Sequence, residues 1–273
     1  MSSLDRYAVI GHPVAHSKSP DIHARFAAQT QQNLTYERLL APLDGFAAAV
    51  RSFAQQGGRG ANVTLPFKLQ AHALATVLTQ RAEAAGAVNT LKFDGNTILG
   101  DNTDGVGLVA DIVHNAGAAV TGKTVLLLGA GGAARGVVMP LLSEAPAELV
   151  IANRTQSKAV ELAQRFAARY SNIRASDLAA LDCPFDIIVN ATSASLGTDL
   201  PQISPTVFGT GTFAYDMMYG REPTVFMRFA VQHGASARDG LGMLIEQAAE
   251  SFFVWRGVRP DTAPVFAELR AKL

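Results

Sequence analysis

The segment TVLLLGAGGAAR, Thr124 to Arg135, has the residue types and spacing of a phosphate-binding turn. Val125 to Leu128 form an uninterrupted apolar run, the pattern of a parallel strand covered on both faces. Gly129, Gly131 and Ala134 then fit G-x-G-x-x-[GA], where glycine permits a tight turn and close backbone approach. The helix that follows would aim its free N–H groups at a pyrophosphate. Glycines also close ordinary loops, so the context decides: a strand precedes them, a helix-forming run through Leu142 follows, and a second strand is expected at Glu148 to Ala152. Together these predict a dinucleotide site.

A site for NAD usually places Asp or Glu at the end of that second strand, to bind the ribose 2′-hydroxyl. Here the chain has Asn153-Arg154-Thr155. A guanidinium forks onto phosphate oxygens where a carboxylate would repel them, so the expected cofactor is NADP rather than NAD. The plain alternative is that Asn153 and Thr155 cap a helix from Gln156 to Tyr170 and Arg154 is a solvated charge.

The elements that must position these residues alternate along the chain. Strands are expected at Tyr7 to Ile10, Thr35 to Leu40 and Gly60 to Val63, with helices at Pro20 to Gln31, Leu43 to Gln55 and from Phe67. Ala87 to Phe93 and Thr97 to Gly100 flank Asp94-Gly95-Asn96, which is hairpin chemistry. Thr103 to Ala116 reads as a helix; beyond Arg154 come strands at Phe185 to Val189 and Thr212 to Asp216, a helix near Thr224 to His233 and a short strand around Ala235. The fold class expected is α/β, with a mixed or parallel N-terminal substrate domain and a Rossmann-type, doubly wound dinucleotide-binding domain. The boundaries expected are 1–104, completed by C-terminal helices 240–273, and 105–239. In Gly242 to Val258 an apolar stripe of Leu244, Ile245, Ala248, Phe252 and Trp255 predicts an amphipathic helix that returns to the first domain.

Composition is compatible with this reading. At 273 residues two domains are the first expectation, and 48% hydrophobic content suffices for two cores. The 23 basic and 23 acidic residues balance, giving no reason to expect a nucleic acid or an anionic membrane as partner. The single cysteine, Cys183, excludes an intramolecular disulfide and reads as a small packed residue beside Pro184. The N-terminus lacks a basic segment leading into an apolar one, and no run of about 18 apolar residues occurs, so a cytoplasmic protein is expected. The six histidines show no metal-ligand spacing, so no metal is expected, and a P-loop lysine is missing after the glycine turn.

The chain resembles the shikimate dehydrogenase family over nearly its whole length. The resemblance rests on His16-Ser17-Lys18-Ser19-Pro20, Asn62-Val63-Thr64-Leu65-Pro66-Phe67-Lys68, Gly86-Ala87-Val88-Asn89-Thr90 and Gly100-Asp101-Asn102-Thr103-Asp104-Gly105. It continues through GAGGAAR, Asn153-Arg154-Thr155, Asn190-Ala191-Thr192-Ser193, Tyr215-Asp216-Met217-Met218-Tyr219 and Gly240-Leu241-Gly242-Met243-Leu244 with Gln247. It implies NADPH-dependent reduction of 3-dehydroshikimate to shikimate, on the route to aromatic amino acids. It implies Lys68 and Asp104 as the catalytic pair, and Ser17, Ser19, Thr64, Asn89, Tyr219 and Gln247 around the substrate. For the cofactor it implies Gly129, Ala130, Gly131, Gly132, Ala133, Asn153, Arg154, Thr155, Lys158, Thr192, Ser193, Met217 and Gly240. One departure is Ser195, where the family commonly has glycine.

Elementary chemistry supports the roles. Moving hydride to a ketone builds negative charge on its oxygen, which a positioned acid must neutralise. A lysine can do this, with a carboxylate to orient the ammonium and bond a neighbouring substrate hydroxyl. Plain readings stand beside these: Lys68 as a solvated first-turn residue, Asp104 as a helix N-cap, Gln247 as a surface residue, and Ser19 as N-cap with Pro20 at the first helical position. Asn89, within an apolar strand, must have a partner, either ligand or protein. Quinate-preferring relatives and a silent dinucleotide sensor are the alternatives. Ser17, Ser19 and Arg154 speak against the first, and retention of Lys68 and Asp104 against the second. Monomer and homodimer both remain open.

Overall fold

The computed structural model describes residues 4–192, 200 and 202–273. The chain forms two compact units, one of Met1–Gly107 with Ile245–Leu269, the other of Leu108–Leu244 with Arg270–Leu273. The first holds β1 (Asp5–Gly11), α1 (Ser19–Gln29), β2 (Leu34–Leu40), α2 (Phe46–Gln55), β3 (Gly58–Val63), α3 (Lys68–Leu74) and β4 (Val77–Leu78). It continues with α4 (Gln80–Ala85), β5 (Thr90–Asp94), β6 (Thr97–Asp101) and the start of α5 (Asp104–Ala110). Its sheet has the order β2-β1-β3-β5-β6-β4. β1 is parallel to β2 and β3, whereas β5 is antiparallel to both β3 and β6, so the sheet is mixed.

Both faces of this sheet are covered, and side-chain alternation along β1 shows how. Ala8 and Ile10 join Phe46, Val50, Phe53 and Phe67 in one core cluster. Tyr7, one position out of phase, stacks on Trp255 with ring centroids 4.7 Å apart. Gly60 is required there, since a Cβ would lie 2.5 Å from the Trp255 indole nitrogen. That nitrogen donates to the Leu91 carbonyl at 2.9 Å.

The second unit contains β7 (Thr124–Leu128), α6 (Gly132–Ser143), β8 (Glu148–Ala152), α7 (Gln156–Ala167), β9 (Ile173–Ser176), β10 (Ile187–Asn190), β11 (Phe213–Asp216), α8 (Val225–Gln232) and β12 (Ser236–Asp239). Its strands are all parallel, in the order β12-β11-β10-β7-β8-β9. That is the doubly wound dinucleotide-binding order, with the reversal of winding between β7 and β10. Two last helices, α9 (Leu241–Arg256) and α10 (Ala263–Ala271), follow; most of α9 and of α10 belongs to the first unit. The α/β class and the doubly wound second sheet agree with the sequence reading.

Several local expectations are corrected. The helix expected through Ala116 is α only to Ala110 and then widens into a π turn, Asp111–Asn115, in which Ala116 N–H reaches the Asp111 carbonyl at 2.9 Å. Asp111 is fully buried there, bonded by Arg238 through both Nε (2.9 Å) and Nη2 (2.7 Å) and by the Tyr215 hydroxyl (2.7 Å). Ser19 is not the N-cap of α1: it opens the helix, and its N–H is taken by the Ser17 hydroxyl at 3.3 Å. Cys183 is exposed rather than packed, because Leu181 and Phe185 on either side fill the core instead. Asn89 precedes β5 rather than lying within it.

Candidate active site

Lys68 and Asp104 each open a helix at the end of a strand loop. After β3 the chain passes Thr64-Leu65-Pro66 and turns into α3 at Lys68, whose carbonyl accepts the Val88 N–H at 2.9 Å. After β6, Asn102 fixes the next turn: its Oδ1 accepts the Asp104 N–H at 3.2 Å and its Nδ2 donates to the Ala87 carbonyl at 3.0 Å. The result places Lys68 Nζ 2.5 Å from Asp104 Oδ2, with both side chains largely buried. The other carboxylate oxygen, Oδ1, accepts from Asn89 Nδ2 at 2.8 Å. Both oxygens of Asp104 are therefore engaged, so helix capping does not account for its side chain, and Lys68 is not a solvated charge.

Around this pair lies a buried polar network. Asn89 Oδ1 accepts from the Thr103 N–H (2.9 Å) and from Thr90 Oγ1 (2.8 Å), and Asn89 Nδ2 also approaches Thr103 Oγ1 (2.9 Å) and Gln247 Oε1 (3.3 Å). The partner that a buried amide requires is thus protein, and Gln247 is not a plain surface residue. Ser251, one turn beyond Gln247 on α9, bonds Thr90 at 2.8 Å and accepts from Asn62 Nδ2 at 2.9 Å. Asn62 Oδ1 takes the Tyr36 hydroxyl at 2.8 Å. Burying so many amides and hydroxyls is tolerated because each is bonded; removing one partner would leave another unsatisfied.

Ser17 and Ser19 are bonded to each other through their hydroxyls at 3.2 Å, and the Ser17 carbonyl is held by Arg38 Nη2 at 2.7 Å. Thr64 lies just past β3, its N–H on the Ile10 carbonyl at 2.9 Å. Ser17, Ser19, Thr64, Lys68, Asn89, Asp104 and Gln247 all belong to the first unit. Tyr219 belongs to the second, half-buried after β11, where burial raises its phenol above the usual value and the Asp239 charge adds to the rise.

In the second unit the glycine turn has the expected form. Val125 to Leu128 are buried, and Gly129 adopts φ +113°, a conformation favouring glycine, beneath the Ala191 carbonyl. Ala130 and Ala134 are buried against the sheet, whereas Gly131, Gly132 and Ala133 are exposed. α6 starts at Gly132 with no side-chain cap, and a Cβ on Gly131 or Gly132 would meet no other atom within 4 Å. Packing does not require those two glycines, and bare N–H groups at a helix start suit an anion, so the turn fits a pyrophosphate.

Next to it, at the end of β8, Asn153 donates to the Thr155 carbonyl at 2.9 Å, and Thr155 sits at the N-cap of α7 without a side-chain cap bond. The capping alternative is not realised. Arg154, Thr155 and Lys158 are exposed, and no carboxylate ends the strand, a set that fits a 2′-phosphate. At the end of β10, Thr192 Oγ1 donates to Asn190 Oδ1 at 2.7 Å; Ser193 and Ser195 lie outside the described residues. Met217 and Gly240 are in direct contact, since a Cβ on Gly240 would fall 2.3 Å from the Met217 carbonyl oxygen.

Sequence reasoning passed over Tyr36, Asn62, Thr90, Thr103 and Ser251 as part of the network. Asn62 and Thr103 stand in the quoted motifs, and Ser251 is four residues from Gln247, the spacing that puts two residues on one helix face. Among the described residues no group of three or more His, Cys, Asp or Glu could hold a metal ion, and no helix is long and apolar enough to cross a membrane.

A doubly wound sheet with an open glycine turn, joined in sequence to a unit bearing a lysine–carboxylate pair, defines a dinucleotide-dependent dehydrogenase. Comparison with known proteins narrows the class. Residues 9–91 match the shikimate dehydrogenase substrate binding domain, 111–198 the shikimate / quinate 5-dehydrogenase model and 240–270 the shikimate 5′-dehydrogenase C-terminal domain. The shikimate dehydrogenase (NADP(+)) of Herminiimonas arsenicoxydans is 70% identical, with 100% of both chains covered. Among solved structures, an Ael1 enzyme from Pseudomonas putida is 49% identical at TM-score 0.93, covering 97% of this chain and 98% of that one. Shikimate 5-dehydrogenase from Thermus thermophilus, in complex with NADP(H) and shikimate, is 32% identical at TM-score 0.88, covering 99% and 100%. The chain belongs to the shikimate dehydrogenase family, NADP-dependent oxidoreductases that act on a CH–OH group.

Proposed function

We propose that this protein reversibly reduces 3-dehydroshikimate to shikimate with NADPH, as a cytoplasmic step towards aromatic amino acids. NADPH, when bound, supplies the hydride. Lys68 gives its proton to the carbonyl oxygen as negative charge builds there, and Asp104 holds the ammonium in place and accepts from the adjacent substrate hydroxyl. Ser17, Ser19, Thr64, Asn89, Tyr219 and Gln247 bind the carboxylate and hydroxyls. A site that bonds each hydroxyl discriminates against analogues lacking one. Residues 1–104 with 240–273 chiefly serve the substrate, apart from Gly240, and 105–239 chiefly serve the cofactor, apart from Tyr219. Gly129 to Ala133, with Asn153, Arg154, Thr155, Lys158, Thr192, Ser193, Met217 and Gly240, hold NADP.

The observation that carries this reading is the Lys68 to Asp104 contact, with Asn89 on the second carboxylate oxygen. The test is a steady-state comparison of shikimate and quinate, each with NADP and with NAD. Turnover of shikimate with NADP, and of 3-dehydroshikimate with NADPH in reverse, is expected. Turnover confined to quinate with NAD would replace this reading with the quinate one, and no turnover at all would point to a sensor.

A further inference from the structure

We infer that Arg81 is a positioning residue for Asp104, acting through an unbroken chain of hydrogen bonds behind the site; the inference rests on the catalytic reading of Asp104. Arg81, in α4, forks onto Asp101, with Nε on Oδ1 and Nη2 on Oδ2, both at 2.6 Å. Asp101 is almost wholly buried and ends β6, three residues before Asp104. Its Oδ1 also takes the Thr79 hydroxyl at 2.6 Å and the Asn102 N–H at 2.7 Å. Asn102 Oδ1 then takes the Asp104 N–H at 3.2 Å, so the guanidinium fixes the turn from which the Asp104 carboxylate reaches Lys68.

The same guanidinium reaches a second element. Arg81 Nη1 donates to Glu250 Oε1 at 2.8 Å, and Arg259 pairs with the other Glu250 oxygen. Glu250 stands three residues past Gln247 on α9, so one arginine ties the turn carrying Asp104 to the helix carrying Gln247. A lysine could satisfy one of these carboxylates at a time, but not both in a fixed plane. None of Arg81, Asp101 and Glu250 hydrogen-bonds Lys68 or Asp104 directly, so the effect on catalysis is one of placement.

The test is a double-mutant cycle on kcat, with Arg81→Lys made in the wild-type and the Asp104→Asn backgrounds. In the wild type a fall on the order of 10- to 100-fold is expected, the scale of a small misplacement. The shikimate KM should stay within about threefold, and the pH profile of kcat should move, which lost stability alone would not cause. In the Asp104→Asn background the fall should shrink to under about twofold. An equal fall in both backgrounds, or an unchanged kcat in Arg81→Lys, overturns the inference. Near-normal kcat in Asp104→Asn alone would instead remove the catalytic reading, and the role of Arg81 with it. Should Arg81→Lys not accumulate as folded protein, Asp101→Asn, which removes the charge and one acceptor oxygen from the fork, goes through the same cycle with the same criteria.

Discussion

The imidazole of His23 lies flat on the phenol ring of Tyr36, with ring centroids 4.3 Å apart and planes 6° from parallel. Phe26, Phe252 and Trp255 complete the surround of a side chain with no exposed surface. Burial pushes the His23 pKa down to about 3, against a smaller upward pull from Asn62. The folded protein therefore holds His23 neutral where the unfolded chain, titrating near 6.5, takes up a proton. Stability from this source is complete above about pH 6.5 and is lost as pH falls towards 3. Between pH 7 and pH 5 the loss is about 2 kcal/mol, from one proton bound only in the unfolded state. Denaturant titrations at the two pH values should show a larger drop for wild type than for His23→Phe; equal drops would refute it.

Lys68→Ala should lower kcat by roughly 10²- to 10⁴-fold, the usual contribution of a general acid, with modest change in shikimate KM. Because Asp104 would then be left buried beside Asn89 without its ammonium, a thermal melt should accompany the initial rates. Near-normal turnover would rule out the acid role.

Arg154→Ala should weaken NADPH binding by about 1.5–3 kcal/mol, the scale of a hydrogen bond between charged groups, and leave NADH nearly unaffected. Fluorescence titration of both reduced cofactors is the measurement. Equal weakening of the two would mean that Arg154 does not read the 2′-phosphate.

Gly242→Ala should destabilise the fold. The added methyl would lie 1.8 Å from Asp111 Oδ1, and that carboxylate cannot swing aside because Arg238 and Tyr215 hold it from the other directions. Overpacking of this kind costs about 1–3 kcal/mol, with more if the buried ion pair breaks. Urea midpoints compare the variants; an unchanged midpoint would show that the helix start can shift freely.

Most of this architecture was legible because it rests on short-range pattern. The apolar run before Gly129 and the Asp94-Gly95-Asn96 turn each announce themselves within a dozen residues, and β5 and β6 pair across Gly95-Asn96 as expected. β4 was missed because two residues, Val77 and Leu78, show no periodicity. β9 and α4 were passed over for the same lack of a repeating pattern. The polar network was hidden for a different reason. Asn62 meets Ser251 across 189 residues and Arg81 meets Glu250 across 169, so no local window contains both partners. Ser19 misled because proline at the second helical position invites a cap, while the hydroxyl that serves belongs to Ser17.

The first unit is assembled from two stretches of chain separated by Leu108–Leu244 of the second. During synthesis the ribosome releases β1 to β6 long before α9 emerges, so Asn62 and Thr90 wait for Ser251, and Arg81 waits for Glu250. The second unit also draws on Arg270–Leu273, so neither unit is whole until the chain's last residues emerge, and a nascent chain interrupted before residue 245 would carry Lys68 and Asp104 without the helix whose Gln247 and Ser251 bond Asn89 and Thr90 beside them.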